Sequence, residues 1–120
     1  MLCKKRILVV DDEKNIRLTI NRSLDSDKYI VDEAASGEEA LDLLILLPYD
    51  LVLLDLRLPG MSGIEMMEKL KELEISTKIV VISAHGTIDL AVSVLKAGAL
   101  DFVEKPFSPD EIRQIVVKYA

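Results

Sequence analysis

The chain has 120 residues, 50% of them hydrophobic and 30% charged, which suits one domain that hides roughly two thirds of its unfolded surface and excludes a disordered segment. A net charge of -6 argues against nucleic-acid binding by this domain itself, because neutralising phosphates needs clustered Lys and Arg. The single cysteine, Cys3, cannot form an internal disulfide, and Asp11, Asp12 and Glu13 interrupt the apolar N-terminus before a signal-peptide core or a membrane span could form, so a cytoplasmic location is expected.

Along the chain, apolar β-rich runs alternate with segments of helical period, the pattern of βαβ units around a parallel sheet covered on both faces. RILVV (Arg6 to Val10) predicts a first strand, followed by a helix marked by Ile16, Ile20 and Leu24. YIVDEAA (Tyr29 to Ala35) predicts the second strand, and Ala40, Leu43, Leu44 and Leu47 recur at the spacing of one helix face. DLVLL (Asp50 to Leu54) predicts the third, ahead of a sparser helix with Met66, Leu70 and Leu73. KIVVIS (Lys78 to Ser83) predicts the fourth, and Ile88, Ala91, Val92 and Leu95 form the apolar stripe of the helix after it. A short DFVE (Asp101 to Glu104) precedes a last helix with Ile112, Ile115, Val116 and Tyr119 on one face. Strands one, three and four are nearly all apolar and belong at the centre of the sheet. Ser36 and Ser62 stand where helix caps fall, Gly98 follows a helix end, and Pro48, Pro59 and Pro106 lie in connections. The last helical pattern is still running at Tyr119 and Ala120, which favours residues 1–120 as the N-terminal part of a longer protein.

In an open parallel sheet, ligands meet the chain at the carboxyl ends of the strands, where loops and helix N-termini gather. Asp11 and Asp12 follow the first strand, Asp55 ends the third, Ser83 ends the fourth and Lys105 follows the fifth. Three acids on one rim repel one another unless a cation joins them, and Mg2+ suits a site of few carboxylates that also shares a phosphate. With a lysine and a hydroxyl beside them, these are the parts of a phosphoryl-transfer site: Asp55 as nucleophile forming an aspartyl phosphate, the acid pair holding the metal, Ser83 and Lys105 holding phosphoryl oxygens. Each part has a plainer reading alone. Asp12 could cap the first helix, Ser83 could be an ordinary strand-end hydroxyl, and Lys105 a solvated charge; the ordering of all of them is what is specific.

The motifs ILVVDDE, DLVLLDLRLPGMSG, KIVVISAHG and DFVEKPF, in this order over essentially the whole chain, resemble the receiver domain of bacterial two-component response regulators. The resemblance implies a single flavodoxin-like (βα)5 doubly wound α/β fold with strand order 2-1-3-4-5; the chemotaxis member of this family is a named example of that order. It implies that Asp55 accepts a phosphoryl group from a sensor histidine kinase, that Asp11, Asp12, Asp55 and the backbone carbonyl of Arg57 bind Mg2+, and that Ser83 and Phe102 are switch positions reshaping the α4–β5–α5 face. It also implies a cis Lys105–Pro106 peptide, which proline tolerates. Arg57 and His85 resemble positions that tune the lifetime of the aspartyl phosphate; both could equally be solvent-facing loop residues. The stretch HGTIDLAVSVLKAGALDFVEKPF further resembles receivers of NtrC-type regulators, which implies a C-terminal output of ATPase and DNA-binding domains that activates transcription, and a homodimer through the α4–β5–α5 face.

Three other readings stand beside this one. A stand-alone phosphorelay carrier would need no output domain. A haloacid-dehalogenase-like phosphatase would also use an aspartate nucleophile and Mg2+, but its pattern needs an acid where this chain has Arg57. A flavodoxin-like cofactor binder would need a Ser/Thr/Gly-rich phosphate loop after the first strand, where this chain has acids.

Overall fold

The computed structural model describes residues 4–84 and 86–120. Five strands and five helices alternate: β1 (Lys5–Val10), α1 (Lys14–Ser23), β2 (Tyr29–Ala34), α2 (Gly37–Leu46), β3 (Leu51–Asp55), α3 (Gly63–Glu72), β4 (Ile79–Ser83), α4 (Ile88–Lys96), β5 (Asp101–Glu104) and α5 (Pro109–Tyr119). All strand pairs are parallel, in the order β2-β1-β3-β4-β5. The expected fold is therefore the observed one, with the apolar strands β1, β3 and β4 innermost.

Alternation along each central strand divides the core in two. Leu8, Val10, Val52, Leu54 and Val81 point to one face and meet Ala40 and Leu44 of α2, Met66 and Leu70 of α3 and Val94 of α4. Ile7, Val9, Leu51, Leu53, Val80 and Ile82 point to the other and meet Ile20 of α1 with Ile112 and Val116 of α5. A strand buried on both faces can carry no polar residue except at its ends. That is where Asp55 and Ser83 lie.

Four helices begin with a side-chain cap. Ser36, Ser62, Thr87 and Ser108 accept hydrogen bonds from the backbone N–H groups of Glu39, Glu65, Leu90 and Glu111, and Ser108 with Glu111 completes a capping box. The first helix differs. Its N-cap is Glu13 without a side-chain bond, so Asp12 does not cap it; the Glu13 N–H goes instead to Asp11 Oδ1 at 2.9 Å. Gly98 follows α4 with φ +113°, and Lys105–Pro106 is cis.

One sequence expectation needs correction. The third strand runs one residue later than Asp50 to Leu54, because Asp50 is taken up at the strand's start, its carboxylate accepting from Arg6 N at 2.8 Å. The apolar stripe Ile88, Val92 and Leu95 of α4 faces outward: these residues are 83%, 43% and 47% exposed, and α4 is anchored by Val94. Smaller shifts occur at Leu47 and Leu73, which end their helices as exposed caps, while Leu41 and Met67 take buried places.

Candidate functional site

Three parallel strands deliver the site. Asp11 leaves the end of β1, its N–H bonded to Ala34 O of β2; Asp55 is the last residue of β3; and Lys105 follows β5, its N–H bonded to Ser83 O at the end of β4 at 2.8 Å. Asp11 and Asp55 are buried at 2% and 4% exposure, whereas Asp12 is open to solvent. Carboxylate oxygens of Asp11, Asp12 and Asp55 lie within 4.8 Å of one another. The Lys105 ammonium stands between the two buried acids, 2.8 Å from Asp11 Oδ2 and 3.3 Å from Asp55 Oδ2, with Glu13 farther out at 3.9 Å.

The loop after β3 is shaped to leave Asp55 reachable. Arg57 N donates to Asp55 Oδ1 at 3.2 Å, and Gly60 turns the chain with φ +72°. At the start of α3, the Gly63 N–H bonds to Leu56 O at 3.1 Å. A Cβ on Gly63 would lie 2.8 Å from Asp55 O and 2.9 Å from Leu56 Cα, so only glycine lets α3 begin this close to the site.

The charges are unevenly satisfied. Burial pushes the Asp55 carboxyl above its usual 3.8 and the neighbouring Asp11 adds to the rise, while the Arg57 N–H and Lys105 act in the opposite sense. Burial disfavours the Lys105 ammonium, but Asp11 and Asp55 outweigh it and hold the group above its usual 10.5. Two buried acids and one exposed acid therefore share one close lysine. This all-oxygen, carboxylate-rich donor set fits a hard divalent cation.

Of the residues singled out in sequence, Asp11, Asp12, Asp55 and Lys105 converge, and Ser83 lies buried at the same rim with 1% exposure. Arg57 is exposed beside Asp55. Phe102 lies on β5, partly buried against the α2–α3–α4 core. His85 falls outside the described residues. Sequence reasoning missed Arg17, whose guanidinium donates to Asp11 O at 2.7 Å, and Glu33, which pairs with Arg17 at 3.2 Å. The signal was present, since Arg17 follows Asp11 by six residues and so lies in α1's first turns, within reach of the loop that opens the helix.

A five-stranded doubly wound sheet with an acid trio and a lysine at its carboxyl edge defines a phosphoacceptor signalling domain. Residues 7–117 match the family described as the response regulator receiver domain, and the chain belongs to it. It is thus a non-enzymatic signalling domain of two-component systems, and membership implies a histidine kinase partner. Sporulation initiation phosphotransferase F of Bacillus subtilis is 37% identical over 98% of this chain and 95% of its own length. The chain spans only 26% of another relative, the response regulator protein PilR of Pseudomonas aeruginosa, at 36% identity. Among solved structures, TrrA of Thermotoga maritima in complex with Mg2+ and BeF is 37% identical with a TM-score of 0.83, covering 97% of this chain and 99% of that one. The receiver domain of a Luxo repressor protein from Vibrio parahaemolyticus superposes with a TM-score of 0.92 at 29% identity, covering 98% and 90%. No helix among the described residues is long and apolar enough to cross a membrane.

Proposed function

We propose that this chain carries a phosphoryl group on Asp55, received from the phosphohistidine of a sensor kinase and passed to a histidine of a second protein, as a phosphorelay carrier. The observation that carries the chemistry is the Asp55 carboxylate at an open strand end, held 3.3 Å from Lys105 within the acid trio. In the forward step an Asp55 oxygen bonds to phosphorus as the P–N bond breaks, and the imidazole nitrogen keeps the electron pair. Asp11, Asp12 and Asp55, with the Arg57 carbonyl, would hold Mg2+. When bound, that ion neutralises charge that develops on the transferring group. Lys105 leaves its bridge between the acids to bind a phosphoryl oxygen, and Ser83 binds another. Ser83 and Phe102 act as switch positions, while Arg57 and His85 tune the phosphate's lifetime by gating water.

The carrier reading is supported by the phosphotransferase from Bacillus subtilis, which aligns with this chain along 95% of its own length. A second reading is a receiver controlling an NtrC-type transcription output, with residues 1–120 its N-terminal domain. PilR supports it, as does NtrX from Brucella abortus, similar at 33% identity and a TM-score of 0.87 over 27% of that chain. The exposed Ile88, Val92 and Leu95 would then serve a dimer contact on the α4–β5–α5 face.

Incubation with a small phosphoryl donor and Mg2+ should shift wild type but not Asp55→Asn on a phosphate-retarding gel. Equal phosphorylation of both would overturn the assignment of Asp55. Transfer from the phosphorylated protein to a histidine phosphotransfer domain supports the carrier, whereas dimerisation without transfer supports the output reading.

A further inference from the structure

Arg17 is used by none of the steps above, yet its guanidinium is tied to the acid loop. It projects from α1 with 16% of its side chain exposed and makes two contacts in different directions. Its Nη1 donates to Asp11 O at 2.7 Å, and its Nε donates to Glu33 Oε1 on β2 at 3.2 Å. Glu33 is held in turn from α1, where Asn21 Nδ2 donates to Oε2 at 3.1 Å.

The carbonyl that Arg17 grips belongs to the peptide unit joining Asp11 to Asp12, so its orientation sets how both acids are presented. Other bonds locate Asp11: its N–H is tied to Ala34 O at 3.1 Å and its Oδ1 to Glu13 N at 2.9 Å. Asp12 has only the peptide to direct it, being exposed and without an ion pair among the described residues. A planar guanidinium fixes two acceptors at a set angle, which a lysine cannot do. Its positive charge would ordinarily work against a cation nearby; the Glu33 carboxylate, paired with it at 3.2 Å, offsets that charge.

The geometry points to Arg17 as a positioning residue for divalent-cation binding, with Glu33 as the counter-ion that lets a guanidinium stand beside a cation site without weakening it. The inference rests on the reading of Asp11, Asp12 and Asp55 as the Mg2+ site, and the test separates the two. Mg2+ affinity is measured calorimetrically on the unphosphorylated chain for wild type, Arg17→Met, Arg17→Lys and Glu33→Gln, with thermal unfolding in metal-free buffer alongside. Because partners that orient metal ligands typically matter about 10-fold or more, Arg17→Met is expected to bind Mg2+ about 10-fold more weakly, with Arg17→Lys and Glu33→Gln in between. Amide exchange at Asp12 and Glu13 should quicken in metal-free Arg17→Met, and saturating Mg2+ should restore most of its phosphorylation rate. Failure of wild type to bind Mg2+ would overturn the site itself. Wild-type binding with unchanged affinity in Arg17→Met and Glu33→Gln would overturn only the role of Arg17. Should Arg17→Met not fold, Glu33→Gln decides: a loss of affinity with wild-type unfolding temperature supports the inference, and none overturns it.

Discussion

Two clusters each combine a carboxylate with a cation, one half-buried and the other buried, and they are balanced differently. In the first, Arg6, Asp32 and Tyr49 meet away from the phosphoacceptor rim: Asp32 Oδ2 takes Arg6 Nη1 at 2.9 Å and the Tyr49 hydroxyl at 2.7 Å. One negative charge meets one positive charge and one neutral donor, and burial with the Asp32 hydrogen bond pushes the tyrosine up to about 12. In the second, Lys105 must serve both Asp11 and Asp55, and a third acid stands close by. The balanced cluster stabilises the fold. The overcharged one is left in a state that a cation or a phosphoryl group can change, and retaining such an imbalance serves binding rather than stability.

Removing the shared cation should break the contrast most severely. Lys105→Ala leaves Asp11 and Asp55 facing each other without compensation, and in metal-free buffer it is expected to lower unfolding stability by about 2–3 kcal/mol, with Mg2+ restoring much of the loss. Denaturant titrations with and without Mg2+ would check this; a loss that Mg2+ leaves untouched would mean that the lysine's packing, not its charge, is what matters.

Relieving the excess charge should act in the opposite direction. Asp55→Asn is expected to raise metal-free stability at neutral pH by about 1 kcal/mol and to cut the stabilisation by Mg2+. The gain should depend on pH. Asp55 is held above 3.8, so between that value and its raised one the folded state binds more proton than the unfolded chain, and wild-type stability falls as the pH rises through this window. The advantage of Asp55→Asn over wild type is therefore expected near neutrality and should shrink on acidification through the window. Lys105 has the complementary dependence: its stabilising contribution is complete below 10.5 and is lost as the pH rises through its raised value.

The smallest effect belongs to the balanced cluster. Tyr49→Phe removes one donor from Asp32 but leaves Arg6 in place, and it should cost about 0.5–1 kcal/mol with no change in Mg2+ response. A Mg2+-dependent phenotype for Tyr49→Phe would show that the two clusters are coupled.

Much of this was legible in sequence because the relevant signals are local. An apolar run ending in Asp55 must be a central strand with its acid at an end, since neither face of such a strand tolerates an unpaired charge. Ser36 and Ser62 cap their helices as read, because a cap depends only on the next three residues. The stripes of α4 and α5 were each legible as one helix face, and they meet different surroundings. Both helices repeat apolar residues at i, i+3, i+4 and i+7; in α5 Ile112 and Val116 are fully buried, while in α4 Ile88, Val92 and Leu95 face out. Periodicity identifies a stripe on a helix but says nothing of what covers it.

Sequence by itself determined the order of elements, the central strands and the identity of the acids, hydroxyl and lysine gathered at the carboxyl rim, since each follows from chain connectivity and the two-residue period of a strand. Only the tertiary structure decided that Lys105 bridges Asp11 to Asp55, that Arg17 grips the peptide between Asp11 and Asp12, and that α4 turns its apolar stripe outward. The first and last depend on strand register and helix rotation, which bring together segments far apart in the chain; the second is local in sequence, but which acceptor the guanidinium takes is set by its packing against β2.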